Sequence, residues 1–312
     1  KSFPKYILTG SFLFGIIASY FAFFVKVDVD FKSFFEKETV IRDGMDFMDE
    51  KMGGYLNMVI RIDEDLKSPK TLNKIENNQI EIEKYDEVNF SFSLADIVKQ
   101  MHKSIMDDDP KYETIPENQN KVNNLFTVYS LSGDEEDFSS ISNEDYTSGI
   151  INVRLKSTST ERANLIVQET QHHLSKSFSS DDSFTITGIL VVIRDMAILL
   201  VKSSFLNIFS AVILIFVISW YFFRSAIWGL LSIVPLSFAV LLNYGIMGFM
   251  DIKLSHVTAI LSSIIIGVGV DFAIHFIAQF KEQSKNDENI TKDVVADVGY
   301  PIFLDAASNM AF

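Results

Sequence analysis

The chain has no cysteine among its 312 residues. A disulfide framework, thiolate metal sites and cysteine redox chemistry are therefore excluded. Positive charge is scarce: 27 Lys and Arg stand against 41 Asp and Glu, for a formal net charge of −14. Nucleic acid needs basic stripes, and none is present, so it is not an expected partner. A Ser-His-Asp order, zinc-ligand spacing and a phosphate-binding P-loop are also missing. Those absences point away from an enzyme, a cofactor or a resident metal.

Charge is missing altogether from several long apolar runs. Tyr6 to Val25, Phe205 to Phe223 and Ala226 to Met250 carry no Asp, Glu, Lys or Arg, and Pro235 alone interrupts the third. Leu254 to Phe280 is the fourth run. Each approaches or exceeds the roughly 20 residues a helix needs to cross a bilayer. A fifth run starts near Tyr300 and reaches Phe312. The first run is longer than the roughly 7–15 residues of a cleaved signal's apolar region, and no small-x-small site follows it, so a signal anchor or first transmembrane helix is expected. The organisation expected is a transmembrane helix over 1–25, an outside domain over 26–204, three transmembrane helices over 205–280, a cytoplasmic loop over 281–298 and the start of another span over 299–312. The chain begins with Lys1 and its last run is short, which reads as a fragment of a longer membrane protein.

Lys and Arg in short flanks set orientation. Lys1 and Lys5 precede the first run, and Arg224 lies in a tight turn beside Trp220, Tyr221, Phe222 and Phe223. Those aromatics read as an interfacial belt, which puts both flanks in the cytoplasm. Lys281, Lys285 and Lys292 then fall inside as well. The 26–204 domain falls outside, and it holds 20 Lys and Arg against 33 Asp and Glu. Such acidity suits a solvated surface.

That domain mixes two periodicities. Tyr55 to Ile62, Val88 to Leu94, Gly149 to Leu155 and Phe184 to Thr187 read as strands. Ser68 to Lys84 and Thr158 to Ser177 read as helices, the first with a Ser-Pro start. A short amphipathic helix to about Ser104 follows the second strand, then a polar loop from Asp107 to Asn120. Two β-α-β sets suggest two ferredoxin-like α+β units, at about 50–105 and 145–190. Leu190 to Lys202 reads as a helix feeding the second span.

Asp271 is the residue that stands out. No charged residue occurs from Leu254 to Val270, then one carboxylate appears, with Gly267 and Gly269 before it and His275 one turn on. An ionised acid in such a helix costs roughly 2.5–3.5 kcal/mol on insertion scales and marks an ion or proton pathway by default. At 1.5 Å per residue it lies about 26 Å from Leu254 and about 14 Å from Phe280, towards the cytoplasmic half. A structural ion pair is the plainer alternative, but the apolar runs offer no Lys or Arg at that depth. Asp271 is therefore expected to act as a proton relay and to face the helix bundle. His275 is either its neighbour in the relay or an interface residue. Gly267 and Gly269 are expected to let another helix backbone approach.

Other motifs have bland readings. Adjacent His172 and His173 face different directions on a helix, which suits a surface better than a shared metal. Asp107-Asp108-Asp109 lacks the rest of a calcium loop. GVGVDF lacks the third glycine of a nucleotide loop and lies inside an apolar run. Asp305, five residues after Tyr300, reads as an interface acid, with a transport role as the alternative.

One outside domain after the first span, closely spaced later spans and GVGVDFAIHF in the fourth together resemble the resistance–nodulation–division superfamily. The branch is that of hydrophobe and lipid exporters related to the mycobacterial large membrane proteins (MMPL) and to Patched. VDVDFKSFF near Asp28 to Phe35, the FRS turn at 223–225, SIVPLSF at 232–238 and GYPIFLDAAS at 299–308 support the likeness. The resemblance implies a multi-pass α-helical membrane protein with an extracytoplasmic α+β porter domain, forming the first half of a duplicated six-helix repeat. It implies proton-driven export of hydrophobic or amphiphilic substrates, lipids among them, across the bacterial inner membrane, with the porter domain in the periplasm. Partners would be membrane lipid, a hydrophobic or lipid substrate, protons, the second half of the same protein and further copies of it. Family members commonly carry Asp-Tyr or Asp-Asp where this chain has Asp271-Phe272, so only the first acid carries over. A sterol-sensing-like sensor or scaffold, or a protein-translocation auxiliary, is the rival reading.

Overall fold

The computed structural model describes residues 4–131, 133, 138–178, 183–283 and 294–311. The chain forms two compact units, Val29–Met196 and the pair of segments Lys1–Asp28 and Ala197–Phe312. Most of the expected cytoplasmic loop, residues 284–293 with Lys285 and Lys292, lies outside the described residues, as does Lys1.

Helix α1 spans Pro4–Ala22. The Val29–Met196 unit opens with a 3-10 turn, Phe31–Phe34, and helix α2, Val40–Lys51. It continues with β1 (Leu56–Ile62), α3 (Pro69–Ile82), β2 (Val88–Phe92), α4 (Leu94–Ile105) and α5 (Gln119–Ser130). Then come β3 (Gly149–Leu155), α6 (Thr160–Ser177) and β4 (Phe184–Thr187). Local chemistry explains several of these starts. Pro69 at the first turn of α3 needs no amide partner. Ser93 and Asp96 form a reciprocal capping box on α4. Ser159 caps α6 through the amide of Arg162.

The strands make one antiparallel sheet in the order β2-β3-β1-β4. This corrects the expectation of two α+β units. β1 and β2 do not pair with each other; β3 enters between them, with Ile60 opposite Ile151, and β4 closes the other side of β1. The reason is burial. β1 and β3 alternate buried with partly exposed side chains, so each has one face to cover. A two-stranded set is marginal alone, whereas four strands bury that face against helices. The covered side chains include Met58, Ile60, Ile151, Val153, Leu72 and Ile166. The ferredoxin-like order is thus assembled once, from both β-α-β sets. Gly54 sits where β1 begins, at φ +123°, and a Cβ there would lie 1.7 Å from the carbonyl oxygen of Leu155.

Ion pairs on this unit are positional. Arg162 grips both oxygens of Glu87, at 2.6 and 3.2 Å, and that hydrogen bond holds the Glu87 carboxyl below the usual carboxylate range. Burial pushes the Tyr85 hydroxyl well up, and its hydrogen bond to Glu169 adds to the rise. The polar loop expected from Asp107 to Asn120 contains a 3-10 turn, Pro110–Tyr112, and gives way to α5, which the sequence reading did not anticipate.

The second unit is helical. Helix α7 runs without a break over Ile189–Phe223, merging the expected feeder helix with the second span. Helix α8 covers Ala226–Phe249, α9 covers His256–Gln283, and after a π-type turn at Val295–Gly299 comes α10, Tyr300–Ala311. Among the described residues, α7 and α8 are long and apolar enough to cross a membrane. The other two expected spans are helices too, with shorter continuous apolar parts at Leu8–Ala22 and His256–Ile265. Within this unit α8 is central, packed by α1 on one side and α9 on another.

Candidate functional site

Asp271 and His275 lie on α9. That helix meets α8 where the Phe280 ring lies 6.2 Å from Trp228, and Ala273 and Ile277 on it are buried. A polar contact joins the same pair of helices: the Asn243 amide donates to the Ser262 hydroxyl at 2.8 Å, and that hydroxyl donates to the Thr258 carbonyl. At 3.6 residues per turn, Asp271 and His275 fall on the side of α9 opposite Ala273 and Ile277.

The exposure of both side chains agrees with that placement. His275 Nε2 is 3.3 Å from Asp271 Oδ1, one turn apart, and the two side chains are 69% and 72% exposed. The structure therefore brings together the two predicted relay residues, but not where expected. Among the described residues Asp271 does not face the bundle; α8 packs on the other side of α9, at Ser262 and Phe280. The open face of α9 is available to a polar neighbour outside the described residues.

Among the described residues, no helix stands against Gly267 or Gly269. A Cβ built on either would meet nothing within 4 Å. The close backbone contact is on α8 instead. A Cβ on Gly248 would sit 1.8 Å from the Phe21 carbonyl oxygen, and one on Gly245 would sit 2.7 Å from the Ala18 Cβ. Small residues let the α1 and α8 backbones touch. The sequence reading missed this pair; the glycine spacing in GIMG, within the third apolar run, was the available signal.

Near the end of α9, the Lys281 ammonium donates to the Phe223 carbonyl, the last of α7, and lies 5.4 Å from the centre of the Phe223 ring. Arg224, in the turn that follows, adopts φ +52°. These contacts tie the end of α9 to the α7–α8 turn. Asp305 is exposed on α10. His172 and His173 have ring centres 6.3 Å apart on α6. Asp109 uses its carboxylate to accept from the amide of Lys111 at the start of the 3-10 turn.

Apolar helices of spanning length beside a separate α+β unit, with an acid in one of the apolar helices, fit a membrane protein. Two comparisons narrow this. The MMPL family profile matches residues 98–303, more than half of the chain. A protein of Methanocaldococcus jannaschii named "Putative membrane protein" is 22% identical over 251 residues, covering 79% of this chain and 61% of the relative. The chain thus spans less than two thirds of that relative's length. The chain belongs to the MMPL family. Members of that family are membrane transporters rather than enzymes of the ordinary kind.

Proposed function

We propose that this chain is part of a proton-motive-force-driven exporter of hydrophobic or amphiphilic molecules, with lipids as the substrate class. Asp271 carries the proton, and His275 tunes it. The observation that supports this reading is the exposed Asp271–His275 pair on an apolar helix with no Lys or Arg in the neighbouring runs. A carboxylate in lipid favours its neutral form, while an aqueous or polar neighbour favours its ionised form. The two forms therefore suit different packings of the open α9 face, which is what coupling requires. The membrane potential supplies about 2.3 kcal/mol per charge per 100 mV, plus any pH gradient. The membrane is the cytoplasmic one, with the Val29–Met196 unit outside. Further helices of the full-length protein, or another copy, cover the open face.

The test is Asp271→Asn in the full-length protein. Asn keeps size and polarity but cannot cycle between charge states. Expected is loss of gradient-dependent lipid efflux from proteoliposomes, with expression and thermal stability unchanged. Near-normal efflux under the same imposed pH gradient excludes Asp271 as an obligatory relay. Loss of folding would favour the structural ion pair. His275→Ala is expected to give a milder defect.

A further inference from the structure

Helix α2 has no buried residue, although half of it is apolar. At 3.6 residues per turn, Val40, Ile41, Gly44, Met45, Phe47 and Met48 share one side. Val40 is 89% exposed and Phe47 57%. A helix of a soluble domain would bury such a stripe against its core. Here the polar side is attached instead. Asp46 and Asp49 both pair with Lys32, at 2.7 and 2.6 Å. The Arg42 guanidinium donates to the carbonyls of Lys32 and Phe35. The Asp49 carboxylate also accepts from the amides of Tyr55 and Ser157. Ion pairs thus hold the apolar side outward.

We propose that α2 lies flat on the outer surface of the membrane, with its apolar side in a phospholipid headgroup–acyl boundary. The chain itself supplies the tether. Exposed Tyr20, Phe23 and Phe24 at the end of α1 have the character of an interfacial belt. Just beyond them, the Asp28 amide donates to the Leu254 carbonyl, and the Asp28 carboxylate pairs with Lys253, in the link between α8 and α9. Asp28 is therefore fixed where α8 ends and α9 begins. About a dozen residues separate it from Val40, a reach of at most about 40 Å if fully extended. Part of that reach is taken up by the 3-10 turn Phe31–Phe34. An amphipathic helix on a tether this short, with its apolar side open, can reach a bilayer surface and bury that side about 5–10 Å into the headgroup region. Lys51 lies on the same side at the end of α2, in position to meet a lipid phosphate. The inference rests on membrane residence and not on the role of Asp271.

The absence of cysteine makes the test direct. Single cysteines are placed at Ile41 and Phe47 on the apolar side and at Asp43 and Glu50 on the polar side. All four positions are exposed, so a label needs no space in a core. Each carries an environment-sensitive fluorophore in the full-length protein, reconstituted into phosphatidylcholine–phosphatidylglycerol vesicles. Shallow spin-labelled lipid is expected to quench the labels at 41 and 47 several-fold more than those at 43 and 50. Aqueous iodide should show the reverse order. Equal iodide quenching on both sides would place α2 in water. Shielding of 41 and 47 from both quenchers would mean that a protein surface covers them. Either result overturns the proposal.

Discussion

Helices α8 and α9 are neighbours, both apolar and both with glycines in their interiors, yet their glycines meet opposite surroundings. On α8, Gly245 and Gly248 are filled by the backbone of α1, to the point where no side chain fits. On α9, Gly267 and Gly269 look into open space on a helix that also exposes Asp271 and His275. Glycine in a membrane helix therefore does not say by itself that a contact exists. The neighbour decides, and only α8 has its neighbour among the described residues. The difference also separates two kinds of work: α8 is the fixed centre of this unit, and α9 presents an uncommitted surface beside an ionisable pair.

Three substitutions probe that contrast. The largest effect is expected for Gly248→Leu. Its Cβ would meet the Phe21 carbonyl oxygen at 1.8 Å, and backbone cannot step aside as a side-chain end can. Overpacking costs about 1–3 kcal/mol and sometimes more, and this contact belongs at the upper end. Thermal unfolding in detergent reads the loss. Cross-linking between cysteines introduced on α1 and α8 reads the separation of the two helices. Retention of wild-type stability would show that α1 and α8 do not touch there.

A smaller effect is expected for Asn243→Leu, which removes the polar link between α8 and α9. Interhelical hydrogen bonds in membranes average about 0.6 kcal/mol. Ser262 keeps its bond to the Thr258 carbonyl, so it is not left unsatisfied. A loss well above about 1.7 kcal/mol in a double-mutant cycle with Ser262→Ala would place Asn243 in a larger network than the structure contains.

The smallest effect on folding is expected for Gly267→Ala. Nothing stands within 4 Å of the added methyl group. In soluble helices Ala is favoured over Gly by about 1 kcal/mol, so stability should hold or rise slightly. Measuring gradient-dependent efflux alongside stability sharpens the comparison with α8. A folded but inactive Gly267→Ala protein would show that a helix outside the described residues comes close to α9 during turnover.

The sequence shows why some of this was legible and some was not. Apolar runs and strand alternation are local signals, so the helices came through, and β3 was placed over Gly149–Leu155 as observed. Asp271 and His275 were readable because a spacing of four on a helix sets their approach without any other element. Strand partnership is not local. Nothing in Leu56–Ile62 says that its neighbours are Gly149–Leu155 and Phe184–Thr187 rather than Val88–Phe92. The face of α9 that α8 covers was equally hidden, since it depends on Phe280 finding Trp228 and Ser262 finding Asn243. Helix α5 was missed because Asn118 caps a stretch whose polar residues outweigh its three buried ones, Val122, Leu125 and Phe126.

The order of strands also sets a timetable. β1 finds no partner until β3 is made, about ninety residues later, and chains grow at roughly 5–20 residues per second. For about 5–18 s of synthesis, then, a strand carrying Leu56, Met58, Ile60 and Ile62 has both edges unpaired. Such delayed, long-range pairing is slow and exposes sticky edges. The interval of greatest exposure for β1 falls before Gly149–Leu155 leaves the ribosome. A change in β3 that weakens its pairing would lower yield during synthesis more than it lowers the melting temperature of protein already folded.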